Sequence, residues 1–243
     1  MALIAYDRSD AGAFAATRHL GDAAAAAWRE AVSRYARPGP GRRLLDVGAG
    51  TGSWAAAFTR WFAGVDVLAV EPSAAMRDRC LHRPVVAGDA AALPLGAGTV
   101  DAAWLSTVVH HLPDLAVAAR ELRRVLRPGA PVLIRSAFAG RPDGISLFRF
   151  FPEAVDVLAS YPSIADVQAA FGTAGFTTVT VESVPQQTAT SLREAADGLQ
   201  RAAHTPLQLI SDEAYEAGVA RLRAAARTET GPVIDALDLV VLS

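Results

Sequence analysis

Short apolar runs alternate with helical segments between Arg43 and Ser136, and this alternation constrains the fold more than any other feature of the sequence. The runs are nearly continuous in apolar residues, which is typical of strands that helices cover on both faces. A repeat of this kind builds a doubly wound, parallel α/β sheet. The five runs read LLDV, VDVLAV, PVVAGD, VDAAWLS and PVLIRS.

The composition narrows the possible functions. The 243 residues are 51% hydrophobic and 20% charged, as in a globular protein, and Cys80 is the single cysteine, which excludes a disulfide framework and a multi-cysteine metal site. We expect no metal. The sequence contains no lysine, so a Schiff base and a Walker-type phosphate loop are excluded. The net charge of -2 disfavours nucleic acid and anionic membrane as partners and favours a small molecule.

The first residues lack a basic stretch followed by an apolar one, and no apolar run approaches the roughly 20 residues that span a bilayer. We therefore expect a cytoplasmic protein.

Helical spacing predicts two N-terminal helices between Ser9 and Ala36. After Ser136 we expect a cap over residues 137–161, helices over 163–174, 191–203 and 211–227, and strands over 177–184 and 237–242. The whole chain is predicted to be one domain, with N-terminal helices over 1–42, a core over 43–136, and the cap and second half of the sheet over 137–243.

A glycine-rich turn lies between the first predicted strand and the next helix, in the segment LLDVGAGTG at residues 44–52. Glycine permits positive φ and close approach of a ligand to the backbone. A dinucleotide fingerprint is G-x-G-x-x-G, whereas this turn is G-x-G-x-G and has Asp46 just before it. The spacing disfavours a nicotinamide dehydrogenase, and the carboxylate suits a cationic ligand.

Further polar side chains stand where the later strands end. Glu71 ends the second strand about 20 residues after the glycines, where a ribose-binding carboxylate is expected. Asp89 ends the third strand, and His110 and His111 follow the fourth. Ligands of open α/β sheets bind outside the carboxyl ends of the strands, so these side chains are predicted to share one site.

The segments LLDVGAGTG, VEPS, GDAAALP, VDAAWLSTVVHHLPD and ELRRVLRPGAPVLI, in this order and spacing, resemble the class I S-adenosylmethionine-dependent methyltransferases that act on small molecules. The likeness covers about Arg43 to Ser136. It implies a Rossmann-like seven-stranded sheet of order 3-2-1-4-5-7-6 with an antiparallel last strand, a helical cap, and S-adenosylmethionine as cofactor.

The resemblance also implies roles for residues of this chain. Asp46 would orient the ammonium group of the cofactor, Glu71 would hold its ribose hydroxyls, and Asp89 would hold its adenine amino group. The implied cofactor-binding residues are Asp46, Gly48, Ala49, Gly50, Glu71, Pro72, Met76, Asp89, Ala90, Leu105, Ser106, Tyr6 and Arg18.

Methyl transfer from a sulfonium is an in-line displacement that positioning alone can accelerate. If the acceptor is a hydroxyl, a histidine can remove its proton at neutral pH. Adjacent helical residues point about 100° apart, so we expect His110 to face the acceptor and His111 to turn toward the interior. The alternative is that both histidines are structural.

Aromatic residues of the predicted cap are candidates for an acceptor pocket, although core packing is the commoner fate of such side chains. The candidates are Phe138, Phe148, Phe151 and Tyr161. Arg135, Arg141 and Arg149 are candidates for holding an acidic substrate group, with solvated surface as the alternative.

The sequence predicts methyl transfer to a small, fairly apolar acceptor, more readily at oxygen than at carbon or nitrogen, as in specialised metabolism. Its rival is a protein of the same fold that binds the cofactor and catalyses a cyclisation or rearrangement, or acts as a non-catalytic partner. Formation of the demethylated cofactor separates the two.

Overall fold

The computed structural model describes residues 22–243, with side chains described from Ala25 onward. Tyr6, Arg18 and the first of the two predicted N-terminal helices lie outside these residues. Within the described part of the chain, no helix combines the length and apolar character needed to cross a membrane.

Seven strands form one sheet. They are β1 (Arg43–Val47), β2 (Asp66–Val70), β3 (Val85–Val86), β4 (Ala102–Ser106), β5 (Val132–Ser136), β6 (Thr178–Ala189) and β7 (Val233–Leu242). Their order is β3-β2-β1-β4-β5-β7-β6. The first five strands are parallel, and β7 runs antiparallel to both β5 and β6. The predicted sheet order and the antiparallel last strand are confirmed.

The strands carry apolar residues on both faces. Leu45 and Leu105 belong to one buried cluster, while their neighbours Leu44 and Trp104 belong to the cluster on the opposite face. Successive side chains of a strand point to opposite faces, so nearly continuous apolar runs fill two cores. This is the pattern predicted for a parallel sheet between two helical layers.

The helices are α1 (Asp22–Ala36), α2 (Ser53–Trp61), α3 (Ala74–Asp78), α4 (Leu115–Val125), α5 (Ser146–Phe150), α6 (Val155–Ala159), α7 (Ile164–Gly172), α8 (Leu192–Asp197), α9 (Thr205–Gln208) and α10 (Asp212–Ala225). Side-chain caps explain several starts. The Asp114 carboxylate accepts from the backbone N–H groups of Ala116 and Val117 at the start of α4.

The helix predicted over residues 191–203 is broken, because α8 ends at Asp197 and a short 3₁₀ turn covers Arg201–Ala203. Gly198 follows α8, and glycine favours the end of a helix. A further helix, α9, lies outside the predicted range and has Pro206 in its first turn, where proline is favoured.

The last two strands are longer than predicted, because β6 continues to Ala189 and β7 begins at Val233. Gln186 pairs with Asp235, and the antiparallel pair β6–β7 thereby extends past the ends of the parallel strands. Pro185 lies within β6. Proline is tolerated there because β6 is an edge strand.

The segments before and after β6 pack into a third apolar cluster, separate from the two sheet cores, which we call the cap core. Its buried members are Phe148, Phe150, Phe151, Ala154, Leu158, Tyr161, Ala189, Leu192, Leu207, Ile210, Leu222 and Val233. The segment after β5 and the segment between β6 and β7 therefore form one cap.

Candidate functional site

A cavity of about 1110 Å³ opens where the parallel strands end and the cap begins. Its wall combines the glycine turn after β1, the loops after β2, β3 and β4, and residues of the cap core. The carboxyl ends of the strands are where ligands bind in sheets of this kind.

The glycine turn is fixed against β2. Gly48 and Ala49 donate their backbone N–H groups to the carbonyl oxygen of Val70, at 2.8 and 3.1 Å. Gly48 has φ 67°, and a Cβ built on it would lie 2.6 Å from Cγ2 of Val108. A side chain is therefore excluded at Gly48. Gly50 also has positive φ, but the space beside it is open, so the turn offers bare backbone to the cavity.

Glu71 ties this turn to the start of α3. Its two carboxylate oxygens each accept a backbone N–H, from Gly50 and from Ser73, both at 2.8 Å. Burial raises the pKa of Glu71, while these hydrogen bonds and Arg77 act against the rise. Each oxygen keeps a second lone pair. Glu71 lines the cavity and can still accept hydrogen bonds from a ligand.

Asp46 is 1% exposed, yet it lines the same cavity. Burial raises its pKa from 3.8 to about 7, opposed by a hydrogen bond from the backbone of Ala55 and aided by the charge of Glu71. Among the described residues, none donates a hydrogen bond to its Oδ2 atom. A buried acceptor without a donor is costly, and a cationic or N–H-bearing ligand group would satisfy it.

Four more of the predicted cofactor residues lie on this wall: Pro72, Met76, Asp89 and Ala90. Asp89 is exposed, and its Oδ1 accepts the backbone N–H of Ala91 at 2.8 Å. Met76 is buried in α3. The predicted carboxylates Asp46, Glu71 and Asp89 therefore lie along one side of a single cavity.

Of the two residues predicted at the end of β4, Ser106 lines the cavity and Leu105 does not. Leu105 is fully buried in one of the sheet cores, because alternate residues of a strand point to opposite faces. Thr107 lines the cavity with φ 55° and donates its backbone N–H to Arg135 at 2.7 Å. A non-glycine residue with positive φ is uncommon, and the sequence does not indicate that Thr107 adopts this conformation.

His110 and His111 both line the cavity, in a 3₁₀ helix (Val109–His111). The prediction that His111 turns toward the interior is wrong. Consecutive residues of a 3₁₀ helix point about 120° apart, and the fully buried Val109 takes the inward direction. The two imidazole centroids are 4.0 Å apart, and His110 stacks on Tyr161 with centroids 4.1 Å apart and ring planes 3° from parallel.

The cap supplies the aromatic part of the wall. Three of the candidates for an acceptor pocket, Phe148, Phe151 and Tyr161, line the cavity. Phe150 lines it as well. Phe138 does not, because it is fully buried in one of the sheet cores. The cavity therefore has a polar side formed by strand ends and an aromatic side formed by the cap.

The three candidate arginines have different surroundings. Arg141 forms an ion pair with Asp238, and Arg149 forms one with Glu229. Arg135 is 7% exposed and lines the cavity. Only Arg135 is thus a candidate for contact with a ligand.

Sequence reasoning missed the role of two further wall residues. Gln186 lies on β6 and Trp54 lies in the first turn of α2, and both line the cavity. The guanidinium carbon of Arg135 is 5.2 Å from the centroid of Trp54. Trp54 also packs against one of the two sheet cores.

Residues 45–134 match a family model described as a methyltransferase domain. Demethylmenaquinone methyltransferase from Corynebacterium kroppenstedtii is 35% identical over 109 residues, which are 44% of this chain and 47% of that protein. The chain thus spans about half the length of the curated relatives it matches.

Solved structures share the fold over most of the chain. A putative methyltransferase from an antibiotic biosynthesis pathway of Anabaena variabilis ATCC 29413 is similar with a TM-score of 0.68 and 20% identity, over 89% of this chain and 96% of that one. The cyclase SpnF is similar with a TM-score of 0.57 and 20% identity, over 88% and 78% of the two chains.

Proposed function

We propose that this chain, whose residues 45–134 match the family model of a methyltransferase domain, transfers a methyl group from S-adenosylmethionine to a small molecule. More specifically, we propose a fairly apolar acceptor that is methylated at a hydroxyl oxygen, with His110 as the base. The relative from C. kroppenstedtii is named for demethylmenaquinone, which supports a small molecule as the acceptor.

The observation that carries the proposal is the polar side of the cavity. Asp46 has a buried oxygen that none of the described residues satisfies, and it would accept from the ammonium group of the cofactor. The open backbone at Gly50 gives room for the methionine part. Glu71 would hold the ribose with its remaining lone pairs, and Asp89 would accept from the adenine amino group. These donor and acceptor types fit S-adenosylmethionine.

The size of the cavity supports a second ligand beside the cofactor. Pockets for one drug-sized molecule are about 300–1,000 Å³, and this cavity is about 1110 Å³. Its aromatic side, from Phe148 to Tyr161, would bind an apolar acceptor opposite the strand ends. The cap would also exclude water from the reacting atoms.

S-adenosylmethionine, when bound, supplies a methyl group attached to a positively charged sulfur. The contribution of the protein is to align the acceptor with this group, which needs no covalent protein intermediate. His110 would remove the proton of the acceptor hydroxyl. Its stacking on Tyr161 holds the imidazole ring in one plane, so the ring is already oriented before the acceptor binds.

A second candidate function is suggested by the likeness to SpnF, which is a cyclase with the same fold. On that alternative the chain would bind the same cofactor and catalyse a reaction without methyl transfer. The polar side of the cavity fits both alternatives, since both use the cofactor site.

The test begins with calorimetric titration of the protein with S-adenosylmethionine and with S-adenosylhomocysteine. We expect micromolar affinity for both. Acceptor screening by release of S-adenosylhomocysteine then follows, with aromatic and alicyclic alcohols, and with His110→Ala beside the matched variant His111→Ala. Failure to bind either nucleoside contradicts the proposal. Binding with conversion of a substrate but no S-adenosylhomocysteine would favour the cyclase alternative.

A further inference from the structure

A chain of hydrogen bonds crosses the wall of the cavity from β4 to α1. Arg135 donates from Nη1 to Oγ of Ser106 at 3.1 Å and from Nη2 to Oε1 of Gln186 at 2.8 Å. Trp28 donates from Nε1 to the same Oε1 atom at 2.7 Å. Gln186, on β6, thus links β5 to α1, although these elements are far apart in the sequence.

These contacts fix the orientation of the Gln186 amide. Arginine and tryptophan side-chain nitrogens are donors only, so the atom that receives both bonds must be the carbonyl oxygen. A flipped amide would set its NH₂ group against two donors. Trp28 is fully buried, and Arg135 is nearly so, so both partners are held by packing. The position of the amide nitrogen of Gln186 is therefore determined.

That nitrogen donates to no other residue in the described part of the chain, while Gln186 lines the cavity. Two N–H groups of known orientation are thus available at the cavity wall. These N–H groups also lie near the polar side of the cavity, because the Arg135 guanidinium that binds Gln186 contacts Ser106 and lies 5.2 Å from the ring centroid of Trp54. Trp54 follows the glycine turn by two residues.

We infer that Gln186 is a specificity-determining residue whose amide N–H group donates a hydrogen bond to a carbonyl or hydroxyl oxygen of the acceptor. This inference rests on the proposed function. It narrows the acceptor to an apolar compound with an oxygen on the side that faces β6. An analogue without that oxygen leaves a donor unsatisfied, which weakens binding by about tenfold.

The experiment compares two probes in the presence of saturating S-adenosylhomocysteine. The probes are 1-tetralone and tetralin, which share one ring system and differ by a carbonyl oxygen. Dissociation constants are measured by NMR titration for the unaltered protein, Gln186→Glu, Gln186→Leu and Gln187→Glu. Gln186→Glu keeps an oxygen for Trp28 and Arg135 but loses the N–H donors. Gln187→Glu adds the same charge at the next wall position, and Gln187 makes none of these hydrogen bonds.

The unaltered protein and Gln187→Glu are expected to bind the ketone about tenfold more tightly than the hydrocarbon. Both Gln186 variants are expected to reduce this preference to about twofold or less. An equal preference in the Gln186 variants overturns the inference, and so does a lack of preference or of probe binding in a protein that binds S-adenosylhomocysteine. Failure to bind S-adenosylhomocysteine overturns the proposed function first and this inference with it.

Discussion

The buried carboxyl group of Asp46 should make the protein less stable as the pH rises, and Asp46→Asn should remove this effect. Its pKa is 3.8 in ordinary surroundings and about 7 in the folded protein. Between these values the folded chain binds more protons than the unfolded chain. The free energy of unfolding therefore falls as the pH increases from about 4 to 7.

The magnitude follows from the width of this interval. Each pH unit in which only the unfolded carboxyl is ionised costs about 1.4 kcal/mol. Between pH 5 and pH 8, only the range from pH 5 to about pH 7 contributes, which is about two pH units. Asparagine does not titrate, so the stability of Asp46→Asn relative to the unaltered protein should increase by about 2.5 kcal/mol between these two pH values.

Urea unfolding at pH 5, 6, 7 and 8 measures this difference. Asp166→Asn is the matched control, because hydrogen bonds from Ser163 lower the pKa of the exposed Asp166. Its titration lies below pH 5 in both states, so its relative stability should stay constant over this range. If the difference in unfolding free energy between Asp46→Asn and the unaltered protein is also constant, burial does not raise the pKa of Asp46 and the reasoning is refuted.

Three other substitutions test the site and the turn. Glu71→Ala should weaken S-adenosylhomocysteine affinity by roughly tenfold or more in calorimetry, since two charge-assisted hydrogen bonds to the ribose are lost; unchanged affinity would remove the ribose assignment. His110→Ala should slow turnover by about a hundredfold with cofactor affinity retained, and equal turnover would leave positioning as the source of catalysis. Gly52→Ala should lower stability by about 1–3 kcal/mol in a thermal melt, because Gly52 has φ 75° and an added methyl would overlap the sulfur of Cys80. Gly39→Ala, with open space and no positive φ, should change little.

The polar side of the cavity was predictable from the sequence because it depends on topology. In a parallel sheet, residues that end successive strands meet at one edge. Asp46, Glu71 and Asp89 could therefore be assigned to one site before any contact was known, and all three line the cavity.

The aromatic side of the cavity was less predictable because it depends on packing between distant segments. Phe138 and Phe148 belong to the same predicted cap segment, yet one is buried in a sheet core and the other lines the cavity. The orientation of Gln186 depends on Trp28, which is 158 residues away. No local pattern of residues records such a contact.

The boundary between the two sides has an evolutionary consequence. The methyltransferase family match ends at residue 134, and the cap core is built from residues beyond it and separate from both sheet cores. Substitutions at sites without shared contacts have nearly additive effects on stability. Mutations in the cap core and mutations in the sheet cores should therefore change stability nearly independently, so the aromatic side of the cavity can diverge without destabilising the sheet.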